Sequence, residues 1–162
     1  MYIKKIIISL VLASLSCIVL AEDNGYINSF NPGKEPDGFR NIQWGTPIFN
    51  LEDEIFKPVD TSGNEKIYIK ENEDYLLGRT KVDRIEYCFW DDLFYKVKIY
   101  VTGLTERSSM LIYVFDNFGR GKKAKGCYRY KGSKTGLMFC GQPGQDLSIL
   151  TLYSFFQFSP KD

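Results

Sequence analysis

From Ile85 to Val101 the chain spells out two alternating runs whose parity dictates the local fold. Ile85, Tyr87 and Phe89 alternate with Arg84, Glu86 and Cys88; Tyr95, Val97, Ile99 and Val101 alternate with Lys96 and Lys98. A period of two is strand geometry, with successive side chains on opposite faces. Both apolar sets are odd-numbered. In an antiparallel hairpin they share a face only if paired residues have an even index sum. A two-residue Asp91-Asp92 turn pairing Trp90 with Leu93 makes that sum odd. The sequence therefore predicts an odd-length connection or a β-bulge near Trp90 to Leu93.

A different period follows. Met110, Leu111, Val114, Phe115 and Phe118 recur at helical spacing, which predicts a helix over Thr105 to Phe118, capped by Thr105 and stopped by Gly119. Further strands are expected at Ile55–Val59, Lys66–Lys70, Cys127–Tyr130, Leu137–Gly141 and Leu147–Phe156, the last apolar on both faces and so central. At Thr46-Pro47 a short helix is expected, with Thr46 as its cap and Ile48, Phe49 and Leu51 tucked under the sheet. Hairpins, one helix, then hairpins again predict an α+β domain: an antiparallel sheet of hairpins with one long helix packed across one face. The aromatic content of 15% suits such pleated, half-buried surfaces.

The amino terminus reads as an export signal over residues 1–21: Lys4 and Lys5, an apolar run from Ile6 to Leu20, and small residues up to Ala21. Cleavage after Ala21 would place the mature protein in the periplasm or outside the cell. Lipid anchoring at Cys17 is the alternative, but Ser14-Leu15-Ser16 holds the small and aliphatic residues in the wrong order for it. Residues 22–37, with Asn31-Pro32-Gly33 and Pro36-Asp37-Gly38, read as a flexible leader, and 38–162 as a single domain. No membrane-spanning helix is expected in the mature chain. Lys4 and Lys5 leave with the signal, so 21 basic side chains become 19 against 20 acidic ones, a net charge of −1. Near-neutrality argues against nucleic acid as a partner.

The chain contains no histidine. That removes Ser-His-Asp and Cys-His nucleophiles, histidine general bases and histidine-ligated metals. Carboxylate, Lys or Tyr chemistry stays open. No cofactor or metal is expected.

Three cysteines follow the signal: Cys88, Cys127 and Cys140. A hairpin centred between Ser133 and Lys134 sets Cys127 opposite Cys140, within disulfide reach. That bridge is the expected one in an oxidising compartment, with separately buried thiols as the alternative. Cys88 would then be a reactive thiol, a dimer bridge or a buried filler.

The residues Gly38-Phe39-x-x-Ile42-x-Trp44-Gly45-Thr46-Pro47, then Ile85-x-Tyr87-x-Phe89, then a helix ending at Phe118-Gly119, resemble a loose group of small exported bacterial proteins of unassigned function. The resemblance spans roughly Gly38 to Gly141 and implies an envelope α+β domain. It carries no catalytic or binding residues.

Four polar features bear on chemistry. Glu71-Asn72-Glu73-Asp74 offers oxygen ligands but lacks the glycine and distal glutamate of a calcium loop, so a solvated turn is expected. Asp91-Asp92 sits at a hairpin tip, where carboxylates stay solvated. Gly119 to Gly126 carries Arg120, Lys122, Lys123 and Lys125; it follows a helix, against the order of a phosphate loop, and suits an anionic partner or a solvated helix end. Trp90 and Phe94 near the hairpin tip are candidate contact aromatics, unless a neighbouring loop packs on them.

The expected function is an exported, non-catalytic envelope protein that binds a macromolecular partner, a protein or an anionic envelope component, through Trp90, Phe94, Arg120, Lys122, Lys123 and Lys125. One version is an inhibitor or immunity protein against a toxic enzyme. The competing class is a carboxylate-dependent glycan hydrolase, which needs two acidic side chains about 5–10 Å apart across a cleft.

Overall fold

The structure is a computed structural model that describes residues 27–155; residues 1–26, with the expected export signal and the start of the expected leader, and residues 156–162 lie outside the described residues. In chain order the elements are β1 (Gly38–Phe39), β2 (Ile42–Gln43), a 3-10 turn at Ile48–Asn50, β3 (Phe56–Asp60), β4 (Glu65–Lys70), β5 (Leu76–Leu77) and β6 (Thr80–Lys81). Then come β7 (Arg84–Trp90), β8 (Leu93–Thr102), α1 (Leu104–Phe118), β9 (Lys123–Ala124), β10 (Cys127–Lys131), β11 (Thr135–Gly141) and β12 (Leu147–Ser154). Eight strands form one antiparallel sheet in the order β3-β4-β7-β8-β12-β11-β10-β9. The fold is the expected α+β arrangement, with the helix on one face, over β6 and β8. β12 lies between β8 and β11, the central place expected of the strand apolar on both sides.

The β7–β8 hairpin resolves its parity conflict with a bulge. Asp91 and Asp92 form a two-residue turn, both at positive φ (47° and 65°), the backbone that matches strand twist. Phe89 pairs with Phe94 beside this turn, whereas beyond it Cys88 pairs with Lys96 and Tyr87 with Val97. Tyr95 is the extra residue. Because two residues oppose one there, Phe94 joins Ile85, Tyr87, Phe89, Val97, Ile99 and Val101 on the core face. Two expectations are corrected by this shift: Tyr95 leaves the core set and donates its hydroxyl to Glu65 (2.6 Å), and Phe94 is fully buried, not a surface contact.

The core is aromatic. Phe94 meets Tyr87, Phe89 and Trp44 with ring centroids 5.9, 5.5 and 4.9 Å apart. Phe56 of β3 stands edge-on to Tyr68, Tyr87 and Phe89. Such tilted pairs add about 0.5–1.5 kcal/mol each beyond burial. Met110, Val114 and Phe118 of α1 seal the layer. The helix starts at Leu104 after Gly103, with no side-chain cap; Thr105 lies inside its first turn, a correction to its expected role. Gly119, at φ 109°, ends it as expected. The 3-10 turn likewise departs from expectation: Pro47, which has no polar side chain, holds the cap position in place of Thr46, and Phe49 is solvent-exposed.

Both sheet edges are blunted. β3 carries Pro58 and a register shift, and β9 is two residues long, devices that discourage further strand pairing.

The expected leader is, from residue 27, part of the domain. Asn28 bridges in parallel to Tyr130, and its amide is fully used: Nδ2 donates to the carbonyls of Lys122 and Arg129, while Oδ1 accepts from Lys122 N–H. Phe30 stacks on Tyr130 with centroids 5.7 Å apart. Glu35 then caps the β10–β11 turn, accepting from Ser133 N–H and hydroxyl (3.1 and 3.0 Å), Lys134 N–H (2.6 Å) and Thr135 N–H (2.8 Å). Its turn glycines and prolines signalled mobility, while these long-range bonds left no local trace.

The Glu71–Asp74 turn departs from expectation at Glu73, whose side chain is only 1% exposed. Arg40, held at φ 48° in the β1–β2 turn, forms a salt bridge with it and also donates to the Leu76 carbonyl (3.0 Å); Tyr87 donates its hydroxyl to Glu73 from the core. One carboxylate thus ties two small hairpins to β7. Burial and the charge of Glu73 push the Tyr87 phenol strongly upward, so it remains a donor throughout the accessible pH range.

Two outcomes are expected. Glu73→Ala strands a half-buried guanidinium and a buried phenol and should cost about 2–4 kcal/mol in urea unfolding; a loss under about 1 kcal/mol would contradict the clamp. Burial acts to raise the Glu35 pKa, but the N–H groups of Lys134, Ser133 and Thr135 with the Ser133 hydroxyl outweigh it and hold the carboxyl below its ordinary value. Its stabilisation is therefore full above the unfolded value of about 4.3 and is lost as pH falls through the lower folded value. NMR should show the Ser133–Thr135 amides moving together in that acid window, and not in Glu35→Gln.

Candidate partner-binding cleft

The helix lies over β8, and the core face of β10 and β11 is closed at Tyr130, Leu137 and Phe139 but bordered by open space near Gly126, Tyr128 and Gly141. There a cleft of about 320 Å³ lies between the first half of α1 and β9–β11. Leu104, Arg107, Ser108 and Leu111 line the helix side, and Lys123, Gly126, Tyr128, Phe139 and Gly141 the sheet side. Leu104 is 73% exposed, an apolar side chain the fold leaves in water. Two cations and no carboxylate line the cleft. Gly141 gives Arg107 its place: a Cβ there would overlap the guanidinium. Tyr128 is held edge-on by Phe115, with centroids 5.4 Å apart.

The rim continues into the cationic loop. Arg120, Lys122, Lys123 and Lys125 are all exposed, as a contact surface requires. Their backbone is fixed. Tyr130 donates its hydroxyl to the Gly119 carbonyl (2.7 Å), Asn28 grips the main chain of Lys122, and β9 pairs Lys123 and Ala124 with Tyr128 and Cys127. Burial pushes the Tyr130 phenol up to about 12, which keeps its proton in place for that bond. The Cys127–Cys140 disulfide spans directly paired residues, as the hairpin index sum requires, with Cα atoms 4.2 Å apart. It locks the strand that follows the loop to the cleft floor.

The candidate contact residues do not form one surface. Trp90 is 38% exposed at the β7–β8 tip, edge-on to Tyr95. The loop lies at the opposite end of the strands and beyond β10, five strands from β7, about 24 Å across the sheet. Phe94 is in the core. Sequence reasoning missed Arg107, Leu104 and Gly141. The signal available was a second stripe, Leu104, Ser108, Leu111 and Phe115, beside the core stripe of the helix, with Arg107 next to it.

Other candidate chemistry is spent on structure. Asp92 pairs with Lys66 (2.7 Å) and the Asp91 N–H bonds Asn64. Among the described residues no group of three or more Cys, Asp or Glu side chains is arranged to hold a metal ion. Glu35 and Asp37 line a second cleft, of about 670 Å³, but Glu35 is anchored by four donors and held ionised, the opposite of a proton-donating acid. Cys88 is fully buried, and burial pushes its thiol up to about 12, so the reactive-thiol reading loses its thiolate.

Comparison of the chain with protein-family models, with curated proteins and with solved structures gives no match in any of the three. The functional reading therefore rests on the chemistry of the cleft.

Alkylation under native conditions should leave Cys88 unmodified and label it only after unfolding; rapid native labelling at neutral pH would contradict its burial. Reducing Cys127–Cys140 opens a loop of sequence separation 13 and should cost about 3 kcal/mol, with the largest amide shifts at Lys123–Tyr128.

Proposed function

We propose that this chain is an exported, non-catalytic binding protein whose contact surface is the cationic end of the sheet. The partner is a macromolecule presenting an acidic segment with an apolar side chain. The observation that carries this reading is the cleft itself: Arg107 and Lys123 set among Leu104, Leu111 and Tyr128, without a lining carboxylate. Cations steer an acidic segment to the surface, and the apolar walls give it an anchor that water-exposed lysines alone would not. The disulfide and the Asn28 grip support the reading because a pre-fixed rim loses little entropy on binding. Export accords with the signal-like amino terminus and with a disulfide that an oxidising compartment maintains. Anchoring of Glu35 and Glu73 in structural bonds favours binding over carboxylate-dependent hydrolysis.

Affinity capture from envelope extract tests this with two baits, the mature protein and its Arg120→Glu/Lys123→Glu variant. One stoichiometric acidic partner should bind the first, weaken at least about tenfold with the second, and elute with salt. Equal retention on both baits, or recovery of glycan alone, would contradict it.

A further inference from the structure

We propose that a second cleft, at the opposite end of the strands from the cationic cleft, binds a neutral oligosaccharide. It has a volume of about 670 Å³, within the range of small-ligand sites. Four segments meet there: residues 35–37, the Gln43–Gly45 stretch at the end of β2, the Ser133-Lys134 turn between β10 and β11, and Ser154-Phe155 at the end of β12.

The walls are braced by bonds within the chain itself. Glu35 fastens the first segment to the turn through four donors. The Pro36 carbonyl then accepts twice, from the Thr135 hydroxyl (2.7 Å) and from the Trp44 indole N–H (3.1 Å). The Trp44 backbone N–H closes the brace on the Asp37 carbonyl (2.9 Å). A cleft cross-tied at this density is pre-organised, and pre-organisation lowers the cost of holding a weakly anchored ligand.

Its surface chemistry selects the ligand class by elimination. Trp44 is half-buried, packed against Phe94 on the core side, and contributes an aromatic wall. Around it the rim carries an amide (Gln43), a carboxylate (Asp37), a hydroxyl (Ser133) and an ammonium (Lys134). A purely apolar ligand would desolvate these groups without replacing their hydrogen bonds. A phosphate or carboxylate ligand would meet the charges of Glu35 and Asp37, and a cationic one would meet Lys134. A pyranose ring satisfies the whole set. Its C–H face packs on an aromatic ring, and each hydroxyl both donates and accepts, so mixed donors and acceptors at the rim are all usable. The site shares no lining residue with the cationic cleft, so either can fail without the other.

NMR titration of the mature chain with chitotriose, cellotriose and maltotriose, to about 10 mM, reaches affinities in the millimolar range. At least one sugar should give saturable shifts at the Trp44 indole N–H and at the Gln43–Gly45 and Ser133–Lys134 amides. Gln43→Ala and Asp37→Asn alter exposed side chains outside the brace, and each should weaken that sugar roughly tenfold, the worth of about one good hydrogen bond. No saturable shift with any of the three sugars, shifts centred elsewhere, or unchanged affinity in both variants would overturn the proposal.

Discussion

A single register shift decides which side chains of this protein are interior. An antiparallel hairpin has one parity on each side of a bulge, and inserting Tyr95 exchanges the faces of everything before it relative to everything after. Without that insertion the two-residue Asp91-Asp92 turn would send either Ile85, Tyr87 and Phe89 or Val97, Ile99 and Val101 into water. With it, both sets face α1. Phe94 becomes the point where the β7–β8 hairpin, the Trp44 segment and the core meet. The remaining strands inherit their faces from this pair, β4 through Tyr68 opposite Tyr87 and β12 through Leu152 opposite Val97.

Local features were legible in the sequence because their causes are local. Alternation marked β7 and β8, a run apolar on both faces marked β12, helical spacing marked α1, and Gly119 marked its end. The disulfide was readable because facing positions in one short hairpin share an index sum. The parity argument required either a bulge or an odd-length connection near Trp90 to Leu93; the bulge falls at Tyr95, just past that stretch, and so Phe94 and Tyr95 were assigned to the wrong faces. What escaped notice is built across long sequence distances. Nothing near Glu73 announces that Arg40 and Tyr87 will converge on it, and nothing near Glu35 announces a turn about a hundred residues away. Charged residues in polar stretches look solvated until tertiary partners are known.

The same limit governs the candidate sites. The cationic loop was visible as composition, whereas the cleft beside it depends on where α1 comes to rest over the sheet. Because the helix packs on β6 and β8, Leu104 and Leu111 come to line one cleft with Tyr128, Phe139 and Gly141 of β10 and β11. Trp90, read from sequence as a companion to the loop, sits at the far end of the strands. The two proposed sites thus lie at opposite ends of one sheet: a cationic end stapled by Cys127–Cys140, and an end where residues 35–45 are braced on the β10–β11 turn. The rigid aromatic layer between them fixes both.

Cross-strand nuclear Overhauser contacts between β7 and β8 test the register shift most directly. The account predicts backbone contacts of Phe89 with Phe94 and of Tyr87 with Val97, with Tyr95 unpaired between them. Contacts of Phe89 with Tyr95, continuing one index sum through the turn, would put Phe94 outside the core and contradict it.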